Sequence, residues 1–315
     1  MLAPMQGITN RALRRLFVEW VRPDVVFTEF VRVRRGSRRG LSAADRDEVA
    51  DEPGGIPLVV QLIGVDAGAL VAAAQGAQEA GARHLNLNVG CPYGYGRMTP
   101  GSSGGALLGA PEALPSILRA LRGAVTGGFS VKVRAGYEDP RQILSLLPLF
   151  EGEGVDFLVL HPRTVRQGYA GQPDHALTAE VVGATRLPVI ANGDIVTAEE
   201  GRGVLAQTGA AGLMLGRGAV SDPRLFERLR GRAPARPTPE GRSRELGRYL
   251  RALVERYRNL FCGEDQVLYK LKEVVRHVPD PELADVFRDL KRCRTLSAFL
   301  GHLRQLESGA QQKSP

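Results

Sequence analysis

Eight short apolar, β-branched runs punctuate the first 220 residues. They are LAPM (2–5), VVFTEF (25–30), PLVVQLIG (57–64), HLNLNVG (84–90), SVKVRAG (130–136), FLVLHPRT (157–164), PVIANGDI (188–195) and GLMLGRGA (212–219). Amphipathic, alanine- and leucine-rich stretches lie between them, such as 68–82 and 111–125. Near-continuous apolar strands alternating with helices predict a parallel sheet covered by helices. Eight such units in so short a span predict an α/β fold, the TIM (β/α)8 barrel. An open doubly wound sheet would carry a glycine-rich phosphate turn after its first strand, and here that strand ends in MQGITN.

The pattern changes after residue 232. GRAPARPTPE (231–240) holds three prolines, which predicts a linker over 233–240. Helical periodicity then runs through 244–261, 266–278 and 281–306. The expected organisation is a barrel over 1–232, a small all-α domain of three or four helices over 241–308, and a disordered tail over 309–315.

Composition narrows the class. The 315 residues are 43% hydrophobic and 24% charged, as in a globular chain with one large domain and room for a small one. No run approaches the roughly 18 unbroken apolar residues of a membrane helix. MLAPMQGITN lacks the basic start and apolar stretch of a signal peptide, so the cytoplasm is the expected location. The three cysteines, Cys91, Cys262 and Cys293, form no CxxC pair or zinc-spaced cluster, and no metal site is expected. The net charge of +8 is uneven: residues 1–230 hold 25 Lys+Arg against 23 Asp+Glu, and residues 231–315 hold 17 against 11. A polyanion touching the C-terminal part and plain solubilising charge explain this excess equally well.

Polar residues sit at the strand ends: Gln61, Asn88 with Cys91, Lys132 with Arg134, His161 with Arg163, Asn192 through Asp194, and Gly216 with Arg217. A barrel gathers these at one mouth, where active sites lie. ANGDI and LGRGA follow the last two strands, the usual phosphate-binding position, and Arg217 adds a charged donor. One phosphate site implies a mononucleotide cofactor or a phosphorylated substrate. Lys132, flanked by apolar residues, needs an anionic partner. A reduced flavin would supply one, and a structural ion pair with Glu29 is the bland alternative. Gln61 offers the donor and acceptor that suit an isoalloxazine edge, although a lone glutamine more often makes a structural hydrogen bond. A free cysteine is most often a small core residue. Cys91, however, stands between Gly90 and Pro92 at a strand end. There a protonated thiol can give a proton.

The series APMQGITN, TEFVRV, VQLIG, LNLNVGCP, GGALL, SVKVR, HPRT…QGY, VIANGDI and LGRGA, in this order, resembles the tRNA-dihydrouridine synthases. The resemblance covers residues 2–230 and extends through YKLKEVVRH (269–277). TEFVRV and RTVRQGY most resemble the bacterial subgroup acting on uridine 16. The resemblance implies FMN-dependent, NADPH-consuming reduction of the C5=C6 bond of a uridine in the tRNA D-loop. By the same resemblance, hydride would pass from flavin N5 to C6, and Cys91 would give the proton to C5. As an acid the thiol must stay protonated until the hydride arrives. The implied FMN contacts are Pro4, Met5, Gln6, Gln61, Lys132, His161, Asn192, Gly193, Asp194, Gly216 and Arg217. Asn88, Arg134 and Tyr169 would meet the flipped-out uridine or its neighbours. Lys270, Lys272, Arg276 and Lys291 of the helical domain, with Arg32 in the basic run Arg32, Arg34, Arg35, Arg38 and Arg39, would contact phosphates of the D-arm and elbow. No protein partner is implied, and a monomer is expected.

This chain departs from the family between Cys91 and GGALL, where it runs about two residues longer. Gly94 stands where a lysine is usual, and Arg97 is its candidate replacement. Two rival readings remain. An FMN oxidoreductase of a small free substrate, resembling dihydroorotate dehydrogenases, leaves the basic helices unexplained. A non-redox RNA binder on a barrel leaves Lys132, ANGDI and LGRGA unexplained.

Overall fold

The computed structural model describes residues 1–37, 40–50, 54–92 and 103–308. Arg38, Arg39, the loop with Gly94 and Arg97, and the expected disordered tail lie outside the described residues.

Helix α1 (Arg11–Val21) opens on Asn10, whose side chain accepts the Leu13 N–H and so satisfies one free amide of the first turn. The run 25–30 forms one short strand, β1 (Val26–Phe27), and a second, β2 (Val31–Arg32), follows just beyond it; both pair with β3 (Leu58–Ile63). Helix α2 (Ala43–Val49) precedes β3, and α3 (Ala67–Glu79) follows it. Then β4 (His84–Val89), α4 (Leu114–Ala124), β5 (Gly128–Arg134), α5 (Gln142–Gly152), β6 (Phe157–His161), α6 (His175–Ala184), β7 (Val189–Asn192), α7 (Ala198–Thr208) and β8 (Gly212–Met214) alternate. All pairings are parallel, in the order β1-β3-β4-β5-β6-β7-β8. Leu2 bridges both Val26 and Leu215, so the expected first strand is reduced to one bridging residue that closes the sheet on itself.

Register aligns the polar strand ends. Asn88 pairs with Lys132, Arg134 with His161, and Asn192 with Met214. Beneath them Ala3, Phe27, Val59, Val159, Ile190 and Met214 fill the interior. A second, larger cluster packs β3 to β6 against α3, α4 and α5.

After β8 come α8 (Arg217–Ser221) and α9 (Leu225–Leu229), then four helices: α10 (Pro239–Leu260), α11 (Glu264–Arg276), α12 (Ala284–Arg292) and α13 (Leu296–Ser308). Helix α10 begins inside the expected linker. Thr238 caps it through the Gly241 N–H and Pro239 opens its first turn, where a missing N–H costs nothing. The single pattern over 281–306 breaks at Cys293, whose backbone is extended after α12, and Thr295 then accepts the Ala298 N–H as α13 starts. The four helices are not an appendage. One apolar cluster runs from Leu13, Leu16 and Phe17 of α1 through Phe226 to Tyr249, Leu253, Leu271 and Phe299. Phe17 meets Phe226 and Tyr249 edge-on at 6.3 and 6.1 Å. The C-terminal helices thus bury one outer face of the barrel.

Candidate active site

A cavity of about 480 Å3 opens at the C-terminal ends of the strands. Among the expected site residues, Pro4, Met5, Gln6, Asn88, Cys91, Lys132, Arg134, His161, Tyr169, Asn192, Gly193, Asp194, Gly216 and Arg217 line it. Gln61, Arg32, Lys270, Lys272, Arg276 and Lys291 do not.

Cys91 is half-buried and follows β4 directly. Its position is set by Asn88, whose side-chain oxygen accepts the N–H groups of Gly90 at 3.0 Å and Cys91 at 2.9 Å. The Asn88 amide in turn donates to Gln61 Oε1 at 2.8 Å. Gln61 Nε2 donates to Asn86 Oδ1, and Asn86 donates to Ser130 Oγ, both at 2.8 Å. Gln61 is fully buried. Both ends of its amide are engaged inside the barrel, so it supports the Cys91 turn from beneath instead of presenting a free edge to the cavity.

Lys132 donates to Asn192 Oδ1 at 3.1 Å, and Asn192 donates to the Met214 carbonyl at 2.8 Å. Burial first, then the charge of Arg134, lowers the Lys132 pKa from 10.5 to about 8, with Cys91 opposing. Its partner is not Glu29: that carboxylate accepts the Gly7 N–H at 2.8 Å. Burial raises the Glu29 pKa, against the pull of Gly7 and Lys270.

The rest of the mouth is strongly cationic. Arg134, 1% exposed, donates to the carbonyls of Gly90 at 2.8 Å, Thr164 at 2.9 Å and Gly168 at 2.6 Å. Much of its donor capacity therefore goes into fixing two loops, and burial lowers its pKa. Tyr169, half exposed, lies against Arg134 and Arg217, whose guanidinium carbons are 5.3 and 4.9 Å from its ring centre, within cation–π range. Asp194 takes both Arg163 and Arg217 as ion-pair partners. Burial pushes its carboxyl up, but Arg163 and then Arg217 outweigh that and hold it below the usual range. Its backbone lies at φ 44°, a strained conformation for a residue with a Cβ. Gly193 beside it lies at φ 135°, where a side chain is disfavoured.

Two further residues shape this site. Arg163 was visible as a strand-end cation, but nothing in its spacing assigned it a role. His277, the C-cap of α11, reaches the cavity from the helical region. Burial, then Arg217, lowers its pKa. YKLKEVVRH carried it, but only the packing of α11 against α8 brings it to the mouth.

The outlying basic residues divide. Lys270 donates to the Gly7 carbonyl at 3.2 Å and lies over Phe261, tying α11 to the first loop beside Glu29. Lys272 donates to the Cys293 carbonyl at 2.9 Å, so it braces α11 on the α12–α13 turn. Lys270 and Lys272 therefore do not share a face with each other, although Lys272 and Arg276, four residues apart, do. Two residues apart on an α-helix is about 200° of rotation. Arg276 pairs with Glu273 and is exposed, as is Lys291. Arg32 is half-buried over the Phe30 ring at 5.2 Å.

Fold and site together define a (β/α)8-barrel enzyme with a thiol, a buried ammonium and a glycine-turned, arginine-rich corner around one cavity. The family model for dihydrouridine synthase (Dus) matches residues 1–286. The chain belongs to the dihydrouridine synthase family. It is 33% identical to a tRNA-dihydrouridine(16) synthase of Haemophilus influenzae over 309 residues, covering 93% of this chain and 95% of that one. It is 37% identical to the protein of the same name from Pseudomonas putida over 234 residues, 71% of each chain. Among solved structures, morphinone reductase matches with a TM-score of 0.52 at 14% identity, over 76% of this chain and 88% of that one, a likeness of fold alone. No helix among the described residues is long and apolar enough to cross a membrane.

Proposed function

We infer that the protein reduces the C5=C6 bond of a D-loop uridine in tRNA, with FMN as bound cofactor and NADPH as reductant. The relatives' names favour uridine 16. The observation that carries this reading is that Cys91, Lys132 and the Gly193–Asp194 and Gly216–Arg217 turns line one cavity. The donors fit FMN: a buried ammonium with one neutral partner, and two glycine-containing loops with a mouth arginine, suited to a phosphate.

Bound there, FMN would supply the hydride chemistry that the reduction of uracil C6 needs. Lys132 and Asn192 would hold its electron-rich pyrimidine side, with the lysine charge opposing the negative charge of the reduced ring. Gly193, Asp194, Gly216 and Arg217 would receive the phosphate, and Pro4, Met5 and Gln6 would bound the cleft. Cys91 would hold the proton on Sγ and release it to C5. Asn88 would keep that sulfur in place through the Cys91 N–H. Tyr169, an exposed ring beside two guanidiniums, is suited to face a base taken out of the RNA stack. Arg276, Lys291 and Arg32 would meet tRNA phosphates. The protein acts as a monomer in the cytoplasm.

The purified protein should be yellow and should release FMN on denaturation. In a strain lacking other such synthases, deletion of its gene should remove one dihydrouridine from tRNA by mass spectrometry. Retention of every dihydrouridine would exclude this substrate.

A further inference from the structure

Arg163 is 1% exposed and belongs to the wall behind the cavity. One terminal nitrogen donates to Asp194 and to the Gly171 carbonyl. The other lies 3.2 Å from His161 Nε2. His161 is 7% exposed and lines the cavity.

A guanidinium has five N–H donors and no acceptor. His161 Nε2 must therefore be the accepting, unprotonated nitrogen. Protonation of the whole ring would put an N–H against the arginine and is opposed by the surroundings. Burial, then Lys132, Arg134, Arg163 and Arg217, holds the His161 pKa far below that of a free imidazole. A neutral ring that accepts at Nε2 carries its proton on Nδ1. Among the described residues, that N–H has no hydrogen-bond partner.

We propose that Arg163 is a positioning residue that locks His161 as the Nδ1–H tautomer, so that this corner of the cavity offers a hydrogen-bond donor and never an acceptor. The lock is anchored on a second element, because the same guanidinium grips Asp194 of the loop after β7. The group that meets this donor must present an oxygen or a lone-pair nitrogen. Naming it as an acceptor atom of FMN rests on the flavin reading above; the tautomer is a property of the protein alone.

Imidazole-15N-labelled protein without cofactor tests the lock directly. The chain has five histidines, and His161→Asn identifies the His161 signals in long-range 15N–1H spectra. The expected result is a protonated Nδ1 and a bare Nε2. A protonated Nε2 would overturn the proposal. Arg163→Lys, which keeps a donor, should preserve the tautomer, and Arg163→Met should shift it toward Nε2–H. An unchanged tautomer in Arg163→Met removes the role of Arg163. The wild-type spectrum decides the tautomer even where a variant does not fold. FMN titration by flavin fluorescence tests the use of the donor. Asparagine places an N–H where Nδ1 sits, whereas glutamine reaches only to Nε2. His161→Asn should bind FMN at least tenfold more tightly than His161→Gln, and equal affinities would count against the donor. Failure of the wild type to bind FMN would sink the flavin reading and leave the tautomer decided by NMR.

Discussion

Asn88 accepts the backbone N–H of Cys91 at 2.9 Å while its own amide donates to Gln61. A residue expected to touch substrate thus also fixes the thiol that would protonate it. Loss of Asn88 should damage proton delivery more than cofactor retention. In Asn88→Ala, two backbone N–H groups and the Gln61 oxygen lose their partner, at about 1–3 kcal/mol for each buried group left unsatisfied. The variant should melt at a lower temperature, bind FMN within a few-fold of wild type, and form dihydrouridine much more slowly. Equal loss of flavin and product would show that Asn88 serves the fold as a whole.

Cys91→Ala isolates the acid. General acid catalysis contributes roughly 10²–10⁴-fold. The variant should stay yellow and accept electrons from NADPH, yet form dihydrouridine at least about 100-fold more slowly. Single-turnover mixing of reduced enzyme with tRNA measures this, and product formation at the wild-type rate would remove Cys91 from the chemistry.

Lys132 makes a pH-dependent claim on stability. Its folded pKa of about 8 lies below the ordinary 10.5, so the folded state binds this proton less well than the unfolded chain does. Stability is therefore greatest above 10.5, falls as pH drops toward 8, and levels off below. The gap corresponds to about 3 kcal/mol. In cofactor-free protein, the stability difference between Lys132→Met and wild type should shift by that order between pH 7 and pH 10.5, favouring the methionine at pH 7. Denaturant unfolding of both proteins at both values measures it, and a pH-independent difference would contradict the buried, depressed lysine. The same substitution should weaken FMN binding.

Lys270 and Arg276 should behave differently although both belong to α11. Lys270 offsets the Glu29 charge and caps the Gly7 carbonyl, so Lys270→Ala should lower the melting temperature. Arg276→Ala and Lys291→Ala should leave it unchanged and flatten the salt dependence of tRNA binding, by about one unit of slope for each phosphate left without its cation. A melting temperature insensitive to Lys270 would return that lysine to the phosphate-binding group.

The strand ends were legible because one rule governs them. A polar residue closing an apolar parallel strand lands at the barrel mouth, and ANGDI, LGRGA and LNLNVGCP all obey it. Gln61 obeyed the rule too, yet lies beneath the cavity. Its partner Asn86 stands opposite it across β3 and β4, a fact of register that no single strand carries. His277 was hidden for a similar reason, since its place depends on how α11 docks. The break between α12 and α13 was hidden because the amphipathic pattern continues through Cys293 while only the backbone turns. The opening strand shrank to Leu2 because closure needs one bridging residue on each side.

The apolar cluster joining α1 to the C-terminal helices has a consequence for the gene. A stop codon after residue 232 would not release a working barrel: Leu13, Leu16, Phe17 and Phe226 would lose the helices that cover them and face water. The barrel and the helical part are thus one heritable unit: the outer surface of these helices is free to vary, while their inner surface must stay matched to α1 and Phe226.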